Sequence, residues 1–217
     1  MLKVKSTKSD LHHVKMLCYG ESGVGKTVLS STAPEPLIIS AERGLLSLRH
    51  LDIPTIEVST LEDIREAHAY AMSCKQETIC LDSLSELAEM LLIQFKGETK
   101  DPRQAYGRMA DEMATVVRKF RSINKHVYMI AKQSRLTDEV TGKVSYQPLI
   151  PGQSFATNVP YLFDIVACLR IGKREKEEYR YLQTQPSIQY VAKDRSGLLD
   201  KEEAPDLTKL FTKIVGK

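Results

Sequence analysis

A glycine-spaced turn at residues 20–27, GESGVGKT, follows the apolar run VKMLCY and has the residue types needed to hold a polyphosphate. Glycine lets the backbone take conformations that a Cβ forbids, so successive N–H groups can turn inward and cradle phosphate oxygens. Gly20, Glu21, Ser22, Gly23, Val24, Gly25, Lys26, Thr27 and Val28 therefore read as a P-loop for a nucleoside triphosphate. Lys26 would reach the β- and γ-phosphates, and Thr27 would hold Mg²⁺ through its hydroxyl. The N-terminal end of the helix that starts there would favour the anion.

A second group with chemical meaning ends the short apolar run ETICLDS at residues 77–83. A buried parallel strand of this kind delivers its last side chain, Asp82, to the carboxyl edge of a sheet. Beside a P-loop, Asp82 takes the Walker B role and binds Mg²⁺ through water. The alternative is a strand-terminal carboxylate that caps the helix SLSELAEMLLIQF. Glu42 closes the apolar stretch LIISAE, where a carboxylate can orient water for in-line attack. Its alternative is a helix N-terminal carboxylate beside Arg43.

The elements that position these groups alternate in type. After the P-loop strand come a helix from about Lys26 to Ala33, stopped by Pro34 and Pro36, then the Glu42 strand and a further strand at residues 55–59. Thr60 and Asp63 form a capping-box pattern that opens the helix LEDIREAHAYAMSC, which leads into the Asp82 strand. A helix to about Phe95, the polar stretch KGETKDPRQ and a long helix from about Ala105 to Ile123 follow, and then the strand HVYMIAKQ. Residues 134–158 keep no periodicity and read as a long polar loop. FDIVACLRIGK and EYRYLQTQ flank the charged turn REKEE as a hairpin, SIQYVAKDRS adds a last strand, and a short helix spans about Asp206–Ile214. The expected fold is α/β: a mostly parallel central sheet flanked by helices, with an antiparallel C-terminal edge.

At 217 residues with 42% apolar content, the chain suits one α/β domain, comprising a stub at 1–13, a core at 14–200 and a tail with a helix at 201–217. Lys and Arg number 31 against 28 Asp and Glu, so any nucleic-acid surface must be local. No apolar run reaches the ~20 residues of a membrane span and the N-terminus lacks a signal-peptide core, so a cytoplasmic location with no membrane partner is expected. Cys18, Cys80 and Cys168 lie in apolar strand-like segments and Cys74 closes a helix; with no C-x2-C pair, they read as reduced core cysteines. The histidines, including the adjacent pair His12-His13, carry no assigned chemistry.

In order and spacing, these pieces resemble the RecA-type recombinase core. They are most similar to the minimal phage-encoded RecA-like single-strand annealing proteins of the phage nucleotide-binding protein family, over about residues 14–200. The segments that carry the resemblance are GESGVGKT, ISAE, LDSLSEL, MIAKQS and YVAKDRSG. It implies ATP with Mg²⁺, Glu42 as the base that activates water, and Gln133 as sensor of the γ-phosphate. It also implies that Lys193 and Arg195 reach into a neighbouring subunit's nucleotide, although a solvated strand edge would place the same charges there.

KGETKDPRQAYGRMADEMATVVRKF stands where the family has its first DNA-binding loop and following helix, and the residues after Gln133 stand where it has its second. The DNA contacts implied are Lys96, Lys100, Arg103 and Arg108 in the first region and Arg135 and Lys143 in the second. Tyr106, Tyr146 and Phe155 would stack on bases. Ordinary solvated loops carry the same charges, and Lys132 is left between phosphate and DNA. The family reading is an ATP-hydrolysing protein that binds single-stranded DNA, assembles with copies of itself and promotes annealing, with a single-strand-binding protein as a possible partner. The rival readings are a helicase-type motor and a nucleotide-switched adaptor that recruits replication proteins.

Overall fold

Continuous apolar runs form strands buried on both faces, as a parallel sheet covered by helices requires. The computed structural model describes residues 13–175 and 177–216. Most of the expected N-terminal stub, with His12, and Lys176 of the charged turn lie outside the described residues. The chain order is β1 (Lys15–Gly20), α1 (Lys26–Ser30), β2 (Pro36–Ser40), β3 (Thr55–Glu57), α2 (Leu61–Ser73), β4 (Thr78–Asp82), α3 (Leu84–Glu98) and α4 (Pro102–Ser122). It continues with β5 (His126–Thr137), β6 (Val144–Leu149), α5 (Gln153–Asn158), β7 (Ile165–Arg174), β8 (Glu177–Gln183), β9 (Lys193–Asp194), β10 (Glu202–Glu203) and α6 (Leu207–Val215).

Among the described residues the strands form one sheet in the order β10-β8-β7-β1-β5-β4-β2-β3, with β6 paired to β5 and β9 to β7. From β7 across to β3 all neighbours are parallel, while β6, β8, β9 and β10 join antiparallel. The expected α/β class and antiparallel C-terminal edge are both present. One apolar layer packs α2 to α5 on the face that carries Leu17, Leu37, Leu81 and Val127. The other packs Leu29 of α1 and Leu207, Leu210 and Phe211 of α6 against Met16, Ile38 and Tyr128. Among the described residues, no helix is long and apolar enough to cross a membrane.

Local signals set most of the boundaries. Thr60 accepts from Asp63 N while the Asp63 carboxylate accepts from Thr60 N, so the capping box that opens α2 is complete. Ser83, rather than Asp82, caps α3 by accepting from Glu86 N, which leaves the Asp82 carboxylate free of that role.

Four expectations change. The helix after the P-loop is regular only to Ser30; it winds on to Ala33 through i→i+3 bonds, with the hydroxyls of Ser30, Ser31 and Thr32 returned to carbonyls three residues back. The polar stretch at 96–104 is not a loop. Asp101 accepts from Arg103 N and Pro102 takes the first helical position, which leaves only residues 99–101 between α3 and α4.

Residues 134–158 are not a loop either. β5 runs on to Thr137 and pairs with β6, and the turn between them is built on Asp138, whose carboxylate accepts from Val140 N and Thr141 N, with Gly142 at φ 66°. The last strand shrinks to Lys193–Asp194, because Ser187 Oγ accepts from Gln189 N and Tyr190 N and bends the chain ahead of it.

Candidate nucleotide-binding site

The strand order decides which side chains meet. β5 lies between β1 and β4, and β2 lies on the far side of β4, so the carboxyl ends of four parallel strands stand side by side. Gly20 pairs with Lys132, and Ser40 pairs with Asp82. Ligands of open α/β sheets bind beyond the carboxyl ends of the strands. Here that edge opens into a cleft of about 750 Å³ lined by the P-loop, Glu42, Asp82 and Gln133.

Two glycines of the loop are fixed by geometry. A Cβ at Gly20 would lie 2.6 Å from the Leu169 carbonyl oxygen of β7, and Gly25 sits at φ 106° in the left-handed region. Lys26 folds over the loop, and its Nζ donates to the carbonyls of Gly20 at 2.8 Å and Glu21 at 2.7 Å. Burial lowers its pKa, opposed by the charges of Asp82 and Glu42 among others. Tyr128, buried below in β5, donates its hydroxyl to the Lys26 carbonyl at 3.2 Å.

Thr27 Oγ1 donates to Asp82 Oδ2 at 2.6 Å. Asp82 is buried, which raises its pKa; the Thr27 hydroxyl and the Lys26 charge pull the other way, and Glu42 adds to the rise. A hydroxyl and a carboxylate held together beneath a phosphate cradle are the hard oxygen donors that Mg²⁺ takes alongside substrate phosphates and water. Among the described residues, no cluster of three or more His, Cys, Asp or Glu side chains could hold a metal ion without such help.

Glu42 stands just past β2, where its Oε1 accepts from Ser83 Oγ at 2.5 Å. It is exposed and on the cleft wall, and it does not pair with Arg43. Arg43 turns to Ser59 and Glu57 instead, from a backbone at φ 52°. Gln133 accepts weakly from Cys168 Sγ at 3.4 Å and donates to Glu21 Oε1 at 3.5 Å, which spans the floor between β5, β7 and the P-loop. Cys168 is buried, which pushes its thiol up to about 12. Beside Gln133, Lys132 pairs with Glu86 at 2.8 Å and Glu89 at 3.5 Å on α3.

Other expected site residues go elsewhere. Lys193 and Arg195 lie at the amino edge, because Lys193 pairs with Val166 at the start of β7. Lys193 Nζ donates to Pro160 O at 2.8 Å, and Arg195 binds Asp164 at 3.4 Å and Tyr161 O at 3.1 Å. Neither is part of this chain's own cleft. Lys96 lies over the Tyr106 ring, and Arg108 pairs with Glu98 at 2.6 Å while covering Phe95. Lys100 and Arg103 are exposed at the α3–α4 corner, and Lys143 in the β5–β6 turn. Phe155 is only 6% exposed and packs in the core, so it is not placed to stack on bases. Tyr146 is half-buried and stacks on Tyr190 at 4.7 Å between ring centres.

Three groups of the site escaped the sequence. Arg180 of β8 donates from Nε to Val24 O at 2.9 Å and so props the P-loop from outside. Ser47 lines the cleft, and so does Arg135, which was expected on DNA. Nothing local marks Arg180 or Ser47, because only strand pairing and chain path bring them to the loop.

The AAA domain family matches residues 12–196. The chain belongs to this AAA domain family. An AAA domain is a P-loop ATPase module, and Lys26, Thr27 and Asp82 of this one occupy its cleft. No curated protein matches the sequence. Among solved structures, the AAA domain is similar to a KaiC-like protein from the hyperthermophilic archaeon Pyrococcus horikoshii OT3 at 12% identity, covering 78% of this chain and 76% of that one, with a TM-score of 0.46.

Proposed function

We propose that this AAA domain binds ATP with Mg²⁺, hydrolyses it slowly, and uses the nucleotide to order a surface that binds single-stranded DNA and promotes annealing, as a phage recombination protein. The observation that carries the ATPase part is the 2.6 Å contact between Thr27 and Asp82 beneath the P-loop, with Glu42 one strand end away. Lys26 exchanges the carbonyls of Gly20 and Glu21 for β- and γ-phosphate oxygens. Thr27 and Asp82 would hold Mg²⁺, which when bound neutralises phosphate charge. Glu42 takes a proton from the attacking water as its oxygen bonds to the γ-phosphorus, and the bond to the β–γ bridging oxygen breaks to release ADP and phosphate. Gln133 orients the water and reports the γ-phosphate to the hairpin that it starts.

The DNA part is supported by how the hairpin joins the cleft. β5 carries Gln133 at its base and runs out to the turn that holds Lys143. A methyl at Gly152, just past β6, would stand 3.3 Å from Met109 and 3.8 Å from Tyr106, so α4 adjoins the hairpin's foot. Exposed Lys96, Lys100 and Arg103 extend the cationic surface, with Tyr106 as an exposed ring for stacking, while Arg108 is paired with Glu98. Lys193 and Arg195 lie at the far edge of the sheet and are held by Pro160 O, Asp164 and Tyr161 O, so they take no part in this chain's own cleft.

The test is annealing of complementary oligonucleotides with and without ATP, together with the Glu42→Gln variant. Annealing should accelerate with ATP, and log K for single strands should fall with log salt by roughly 0.7 per phosphate neutralised. Glu42→Gln should keep ATP binding and lose about 10²–10⁴-fold in turnover. Unwinding of a duplex would favour the motor, and unchanged turnover in Glu42→Gln the adaptor. Absence of single-strand binding would remove the DNA role and leave the ATPase.

A further inference from the structure

Among the described residues that line the cleft, two cations, Lys132 and Arg135, are not used by the P-loop reading. Arg135 stands two residues past Gln133 on β5, opposite Tyr146 of β6, and lines the same cleft as Lys26, Glu42 and Asp82. Most arginines of this chain that lie near functional elements are tied. Arg43 binds Glu57, Arg108 binds Glu98, Arg195 binds Asp164, and Arg180 is held by Val24 O. Lys132, three positions earlier in the same strand, is clamped by Glu86 and Glu89. Arg135 has no such partner among the described residues, although three carboxylates, Glu21, Glu42 and Asp82, line the cleft with it. Asp82 is engaged by Thr27, Glu42 by Ser83 and Glu21 by Gln133.

A guanidinium without a partner, on a residue of the nucleotide cleft, has a natural ligand, the terminal phosphate, whose oxygens match its planar fork bidentately. We infer that Arg135 contacts the γ-phosphate from within the same chain, as an internal arginine finger, rather than serving the single-stranded DNA. This rests on the ATPase reading above. Charge gathers on the γ-phosphoryl oxygens as the bond to the β–γ bridging oxygen lengthens, and a cation there stabilises that state without taking a proton or forming a bond. Through β5 the same contact couples the γ-phosphate to the hairpin, since Arg135 pairs with β6 three residues before the Asp138 turn.

The experiment compares Arg135→Ala and Arg135→Lys with the parent chain in single-turnover hydrolysis, ATP and ADP binding, and nucleotide-free binding to an oligothymidylate. Arg135 is exposed and unpartnered, so both variants should fold as the parent does. Arg135→Ala should slow the single turnover by about 10³-fold or more, the range of 10³–10⁵ that arginine fingers contribute. It should lose affinity for ATP but not for ADP, and keep its oligothymidylate binding. Arg135→Lys should recover little, because a point charge lacks the fork. Parent-like turnover in Arg135→Ala would overturn the inference, and so would equal losses for ATP and ADP. Loss of oligothymidylate binding with turnover intact would return Arg135 to the DNA. Lys26→Ala, run alongside, separates the two readings: if it binds ATP like the parent, the site itself is misassigned and the Arg135 inference falls with it.

Discussion

The two edges of the parallel sheet carry nearly the same residue types and do different things with them. At the carboxyl edge Lys26, Asp82 and Glu42 meet around an open cleft. At the amino edge Lys15, Lys193, Asp164 and Arg195 meet where β1 and β7 begin. Each edge has a lysine whose pKa is lowered by burial, and Lys15 and Lys193 both fall to about 8. The difference lies in what the charges touch. Lys15 donates to the Ile123 carbonyl at 2.5 Å and to that of Lys125, and Lys193 to Pro160. These carbonyls close strand starts and helix ends, so releasing them would cost fold stability. The carbonyls under Lys26 belong to a glycine-rich loop of the phosphate-binding type, so phosphate can take their place. A buried lysine beside a carboxylate is therefore no sign of a site; the glycine cradle next to it is.

The sharpest way to break this comparison is to remove one lysine from each edge. Lys26→Ala should weaken ATP binding by at least about 100-fold, since two charge-assisted hydrogen bonds to phosphate contribute about 1.5–3 kcal/mol each. Lys193→Ala, measured by the same fluorescence titration in dilute protein, should leave that affinity unchanged. Equal losses would mean that the two edges are not distinct.

Asp82→Asn sharpens the contrast through stability. The native carboxyl holds its proton to higher pH than the unfolded chain does, so the native state loses stability as pH rises through that interval and bears the full cost at neutral pH. Removing the charge should raise the melting temperature, by about 2–4 °C for each kcal/mol relieved, while Mg²⁺-dependent hydrolysis is lost. A lower melting temperature in calorimetry without nucleotide would refute the burial account.

The smallest effect belongs to Lys15. Its pKa falls from 10.5 unfolded to about 8 folded, so the unfolded chain binds more protons between these values and stability rises with pH across them. Below pH 8 the whole cost of the buried ammonium is present. Lys15→Met should flatten the slope of urea-unfolding free energy between pH 8 and 10, whatever it does to the absolute value; an unchanged slope would place the titration elsewhere.

Much of the cleft was legible before any fold was known. A P-loop is a local device, because its glycines, lysine and threonine are consecutive and their conformation depends on each other. Asp82 was legible because an apolar run that ends in a carboxylate has one place to go in a parallel sheet. The α2 capping box was legible for the same local reason. The region from Ser134 to Asn158 was not: its strands are polar, edge-paired extensions with no buried face to impose a period of two, so the hairpin looked like a loop. Phe155 shows the reverse case, an aromatic in a polar context that the core had already claimed.

The sequence by itself determined that a phosphate cradle follows the first strand, that a carboxylate ends the fourth, and that strands and helices alternate, because each depends on neighbours along the chain. Only the tertiary structure decided which strand ends stand together. It put Arg180 behind the P-loop and Arg135 in the cleft, and it sent Lys193 and Arg195 to the opposite edge. Strand order and register join residues over a hundred positions apart, and no local preference encodes that pairing.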